Sequence, residues 1–90
     1  MNKIDLDKII EVTDKATKGP WVSYREGRDF TSGSSFIMTG EDGDRDYDME
    51  SYTFREEDQD FIAMARNVVP DLVNEIIRLQ KILNDNNIAF

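Results

Sequence analysis

The stretch Ala16-Thr17-Lys18-Gly19-Pro20-Trp21-Val22-Ser23-Tyr24 decides how the chain is organised. On its N-terminal side, Leu6, Ile9, Ile10, Thr13 and Ala16 recur at three- and four-residue spacing, which predicts a helix from Asp5 to Lys18. Asp5 suits the N-cap, Asp7 falls in the first turn, and Glu11 stands four residues before Lys15 in the favourable order. Gly19 suits a left-handed position just past the helix end, and Pro20 cannot continue the helix. Trp21 to Tyr24 is aromatic and β-branched, so it reads as a strand.

Working outward, the polar segment from Arg25 to Gly33 carries two glycines and reads as a loop. Ser35 to Thr39 reads as a second strand, with Phe36 and Met38 on one face. Gly40 to Asp48 reads as a charged connection and Met49 to Thr53 as a third strand. The connections are too short for helical crossovers, which predicts an antiparallel meander. Thr53-Phe54-Arg55-Glu56 fits a capping box, followed by acids in a first helical turn and an apolar face of Phe61, Ile62 and Ala65. Asn67 can end that helix and cap another, with Pro70 in the first turn of the second. From Val68 to about Asn84, Val69, Leu72, Ile76, Leu79 and Leu83 form a heptad-like seam. The predicted fold is therefore α+β: one domain over residues 1–90, with an N-terminal helix, a three-stranded antiparallel sheet and two consecutive C-terminal helices. The seam looks wide for one small sheet to cover, which predicts a homo-oligomer through the 69–83 helix.

Charge is unevenly placed. Residues 41–60 hold ten acids and two bases and so carry the whole net charge of −8. Nucleic-acid binding needs cationic groups that displace counterions, so this composition argues against it. It suits a basic protein partner. With no cysteine and no histidine, the chain lacks thiolate chemistry, the commonest general base and the commonest zinc ligand. No apolar run approaches a membrane span and the first residues have no apolar signal core, so the expected location is the cytoplasm, without membrane contact.

The segment Asp42-Gly43-Asp44-Arg45-Asp46-Tyr47-Asp48 spaces carboxylates like a calcium loop. Tyr47 stands where that loop needs Gly, and Thr53 where it needs a bidentate Glu, so no metal site is expected. No nucleophile elbow, phosphate loop or zinc signature occurs, and the acids lack the apolar flanks that split a catalytic pair. The expectation is a non-enzymatic protein without a cofactor. Trp21 has two readings: a core anchor, or a stacking surface for a planar ligand. Arg66 could bond the last carbonyls of its helix or hold a phosphate bidentately. A ligand site built from Trp21, Arg66, Asn67, Lys18 and Arg25 is chemically coherent.

Two segments together resemble the Ead-type small phage and prophage proteins. Ala16-Thr17-Lys18-Gly19-Pro20-Trp21 is similar to their A-T-x-G-P-W opening. Phe61-Ile62-Ala63-Met64-Ala65-Arg66-Asn67-Val68-Val69-Pro70-Asp71-Leu72 is similar to their F-I-A-x-A-R-x-x-V-P-x-L segment, with Gln59 in place of a small residue just before it. The resemblance leaves out residues 25–55. It implies an accessory protein of a phage in its bacterial host, a class that often serves counter-defence. One expectation is then a protein that sequesters a small anionic, nucleotide-type ligand. Another is an inhibitor or DNA mimic that sets Asp42, Asp44, Asp46 and Asp48 against a basic host protein.

Overall fold

The structure, a computed structural model, describes residues 4–41, 44–51 and 53–88. Its elements run α1 (Leu6–Lys15), β1 (Trp21–Tyr24), β2 (Phe36–Glu41), β3 (Asp44–Glu50) and α2 (Glu56–Asp85). The strands form an antiparallel meander in the order β1-β2-β3, and α2 packs across the sheet with α1 beside it. The α+β class, the leading helix and the sheet follow the sequence reading; the C-terminal half departs from it.

α1 begins as read. The Asp5 carboxylate accepts from the Lys8 N–H at 3.0 Å, and Lys15 reaches Glu11 at 3.0 Å. It ends at Lys15, three residues before the expected Lys18, because Ala16 turns extended at φ −71°, ψ 154°. Gly19 is not left-handed; positive φ occurs at Gly27, Gly33 and Gly40. The Gly19–Pro20 peptide is cis. What requires glycine at 19 is a close approach: a Cβ there would lie 3.2 Å from Asn67 Oδ1.

The strands after the loop are longer than predicted and shifted. The expected charged connection is mostly strand: Glu41 pairs with Asp44, so only Asp42 and Gly43 join β2 to β3. β3 accordingly covers Asp44–Glu50 in place of the predicted 49–53, of which Tyr52 lies outside the described residues. Between Met38 and Gly40 the register slips, so that two steps on β2 face three on β3. Gly40 supplies the φ of 87° at this irregularity, and the Thr39 hydroxyl donates to the Tyr47 carbonyl across it.

α2 is one helix of 30 residues, not two. Asn67 neither stops it nor caps a successor. An interior proline costs roughly 3 kcal/mol by removing a backbone bond and crowding the preceding turn. Contacts on both sides of Pro70 outweigh that cost. Before it, Gln59, Ala63 and Asn67 dock on the sheet; at and after it, α2 packs along α1, where Pro70, Val73 and Ile77 line a depression with Ile10 and Thr13. The predicted capping box is also absent: the N-cap is Arg55, without a side-chain cap bond. Glu56, Glu57 and Asp58 do occupy the first turn, as expected from the macrodipole. Two arginines from the β1–β2 region hold that turn in place. Arg25 donates to the Phe54 carbonyl at 3.0 Å, and Arg28 bonds Glu56 and Asp60 at 2.8 and 2.7 Å.

The buried centre is small and half polar. Ile37, Thr39, Ser51 and Gln59 are each at most 1% exposed, and Met38, Ala63 and Val73 are the other buried apolar side chains among the described residues. Gln59 organises it. Its Nε2 donates to the carbonyls of Tyr24 (3.1 Å) and Phe36 (3.0 Å), while Oε1 accepts from Ser51 Oγ and from Arg25 (2.9 Å). On the opposite sheet face, Tyr24 stacks on Phe36 at 5.3 Å and Phe30 packs on Phe36 at 5.9 Å. The radius of gyration is 17.0 Å. A compact domain of this length has about 12 Å; the difference is the far end of α2, which runs on past the rest.

Replacing Gln59 strands several buried polar groups at once. Gln59→Ala and Gln59→Leu should each lose about 3 kcal/mol, given ~1–3 kcal/mol for each unsatisfied buried partner. Leucine should not rescue alanine, since the loss is polar. Urea denaturation followed by circular dichroism measures this, and a loss below about 1 kcal/mol would contradict the role assigned to Gln59.

Candidate functional site

The two sequence segments meet where α1 ends and β1 begins. Asn67 on α2 uses its whole amide on the backbone of Trp21. Its Oδ1 accepts from the Trp21 N–H at 2.8 Å and its Nδ2 donates to the Trp21 carbonyl at 2.8 Å. A side chain here does the work of one more strand residue. One helical position earlier, Arg66 Nε donates to the Thr17 carbonyl at 2.9 Å, and Trp21 Nε1 donates to the same oxygen at 3.1 Å. That shared acceptor exists because α1 unwinds early, turning the Thr17 carbonyl away from a helical bond. It fixes the indole and guanidinium side by side, with Arg66 Cζ 6.0 Å from the Trp21 ring.

Trp21 and Arg66 form one end of a groove of about 230 Å³ lined by Val12, Thr13, Ala16, Ile62, Ala65 and Val69. The walls are apolar, apart from Thr13 and Arg66. Both Nη groups of Arg66 lack a hydrogen-bond partner among the described residues, so it has donors to offer. The groove is below the ~300–1,000 Å³ of ordinary small-molecule pockets. It can take a planar ring, with anything attached to that ring left outside.

Lys18 lies on the other side of the Thr17–Gly19 segment, in an open cleft of about 640 Å³ with Asp14, Ala16, Thr17, Gly40, Arg45 and Asp46. Two cations there face two acids, so the cleft has no net preference for anions. Ala16 lines both depressions. Of the five predicted ligand residues, Trp21, Arg66 and Asn67 come together, and Asn67 is spent on the Trp21 backbone. Arg25 is elsewhere, at the opposite end of β1, committed to Gln59 and Phe54.

Of the four acids of the alternative reading, Asp46 and Asp48 have described side chains. The slipped register puts Asp48 and Arg45 on one face, bonded at 3.1 Å, with Arg45 also 5.7 Å from the Phe36 ring. Asp46 accepts from the Tyr47 N–H at 2.9 Å. Asp42 and the Asp44 side chain lie outside the described residues.

The sequence reading missed two positions that build the site's frame. Gln59 was recoverable from spacing, because Gln59, Ala63 and Asn67 step by four along one helix face. Arg28 was not, since its partners Glu56 and Asp60 are distant in sequence. Arg28 also bonds Asp29, and these carboxylates raise its already high pKa further. The Asp60 carboxyl is held below its ordinary 3.8, chiefly by Arg28. Asp29 is lowered too, by Arg28 and by the Arg25 N–H.

Comparisons with known proteins return nothing: no family model, curated protein or solved structure matches this chain. None of the described helices is long and apolar enough to cross a membrane.

Two outcomes follow. Lowered carboxylate pKa values mean stability that is present above pH 3.8 and is lost as pH falls through the folded-state values. Arg28→Ala should therefore melt below wild type at pH 7, with the gap closing by about pH 2, below the ordinary carboxylate range; a constant gap would rule out this linkage. Asn67→Ala should cost about 1–3 kcal/mol by orphaning the Trp21 N–H and carbonyl. Thermal melts of both variants check these outcomes, at roughly 4–8 °C per kcal/mol for a domain this small.

Proposed function

We propose that this chain is a non-enzymatic binding protein that sequesters a small anionic ligand of nucleotide type. The ligand's planar base lies in the groove against Trp21, and a phosphate is held by the free Nη groups of Arg66. The observation that carries this reading is the Trp21–Arg66 pair, locked by one carbonyl beside an apolar, ring-sized groove. Stacking on an indole is worth ~1–3 kcal/mol per base, and a guanidinium adds a charge-assisted fork to phosphate. Lys18 flanks the mouth from the neighbouring cleft and adds long-range attraction only. Arg25 is excluded from contact by its own bonds, and Asn67 acts by holding Trp21 in place.

The setting, an accessory protein made in the cytoplasm of a phage's bacterial host and used against host defence, rests on the resemblance of residues 16–21 and 61–72 to Ead-type proteins. Sequestration needs no acid–base or nucleophilic pair: it removes a signal by binding it.

Trp21 is the sole tryptophan, so its fluorescence reports the groove directly. Titration with a panel of linear and cyclic mono- and dinucleotides should quench it for at least one member. The same compound should raise the melting temperature, since ligand at 100 times Kd stabilises by about 2.7 kcal/mol. Arg66→Ala should weaken binding at least tenfold, while Arg66→Lys keeps part of it and Arg25→Ala leaves affinity unchanged. Absence of quenching and of thermal shift across the panel at millimolar concentration would end the proposal.

A further inference from the structure

α2 has a third face that touches neither the sheet nor α1. Phe61, Met64, Leu72, Leu79 and Ile82 are 63%, 47%, 55%, 41% and 45% exposed, and the half-buried Val68, Ile76 and Leu83 continue the same line. The steps from Phe61 through Met64, Val68, Leu72, Ile76 and Leu79 to Leu83 are three or four residues, close to one helical turn each. The stripe therefore runs straight along the helix for about 33 Å at 1.5 Å per residue. It shares Leu72, Ile76, Leu79 and Leu83 with the seam expected from sequence, while Val69 turns into the Trp21 groove.

We infer that this stripe is the interface of a two-fold symmetric homodimer in which two copies of α2 pair antiparallel about Leu72. Self-complementarity is the first argument, because a two-fold interface must match itself. Antiparallel pairing about Leu72 sets Phe61 against Leu83, Ala65 against Leu79, Val68 against Ile76, and Leu72 against its own counterpart. These four pairings are apolar, while Met64 falls opposite Gln80.

Charge chooses the direction. The first turns of α2 carry Glu56, Glu57, Asp58 and Asp60, whereas its far end balances Arg78 and Lys81 against Glu75 and Asp85. A parallel dimer would set the acidic ends side by side. The antiparallel arrangement keeps the two acidic ends apart and opposes the helix dipoles. Area is the third argument. Eight partly exposed apolar side chains on this stripe amount to roughly 500 Å² per copy, on the scale of what such side chains bury. Pairing two copies then removes on the order of 1,000 Å², the lower bound for a stable interface. The molecule is elongated, 57 Å against 30 and 19 Å.

Sedimentation velocity of the full chain at 1–100 µM, a range of about the weak-dimer scale, tests this. The expected result is twice the chain mass at the upper end. Leu72→Glu and Leu79→Glu, both on exposed positions, should be monomeric with unchanged circular dichroism. Direction is read by cysteine pairing, which the absence of native cysteine makes clean. A mixture of Phe61→Cys and Leu83→Cys chains should oxidise to the mixed disulfide. A monomeric wild type would assign the stripe to a different protein and overturn the dimer. A dimer indifferent to both glutamates, or one giving only Phe61→Cys self-pairs, would overturn this interface or its direction. Nucleotide quenching of Trp21 is read separately, so the two ideas fail independently.

Discussion

Two side-chain amides on one helix face hold the molecule together. Gln59 and Asn67, eight residues apart on α2, each grip backbone groups of the sheet: Gln59 at the Tyr24 and Phe36 carbonyls, Asn67 at both polar groups of Trp21. Between them Ala63 is 4% exposed and small enough to let the helix lie close. The three positions clamp both ends of the four-residue β1 to one helix. A chain with so few fully buried apolar residues depends on directional bonds of this kind, which are worth little each when exchanged with water but cost a good deal when one partner is removed.

The other peculiarities of the chain follow from the clamp. α2 stays helical through Pro70 because sheet and α1 contacts on either side of the proline outweigh its local cost. α1 unwinds at Ala16, and the Thr17 carbonyl, freed from helical bonding, becomes the acceptor for both Trp21 and Arg66. Gly19 leaves room for Asn67. Thus the bonds that fix the helix on the sheet also place the indole and guanidinium beside a groove. Structure and candidate function share residues here: Trp21 is anchored by its backbone and its ring nitrogen, yet its ring still lines open space.

Arg25 and Arg28 show the reverse outcome. Both are cations close to Trp21 in sequence, and both are consumed in seating the first turns of α2. Proximity in sequence to an aromatic residue was the only ground for assigning Arg25 to a ligand. The same is true of the acidic run. Within it, Asp48 is paired with Arg45 beside the register slip at Gly40.

What could be read from sequence alone was whatever depends on near neighbours. The Asp5 cap, the helical spacing of α1, the aromatic strand at Trp21, the antiparallel meander and the acidic first turn of α2 all arise within a few residues, and all are present. Trp21 and Arg66 stood out as well, because neither is explained by local structure. Beyond that reach, tertiary structure decided. Asn67 and Pro70 read locally as a helix break, and only their long-range contacts make them part of an unbroken helix. Gly19 reads as a left-handed cap, and only Asn67, 48 positions away in sequence, gives it another reason. The apolar spacing of α2 was plain, but which residues face α1, which face the sheet and which remain bare depends on where those partners sit. Periodicity records that a face exists; packing chooses what covers it.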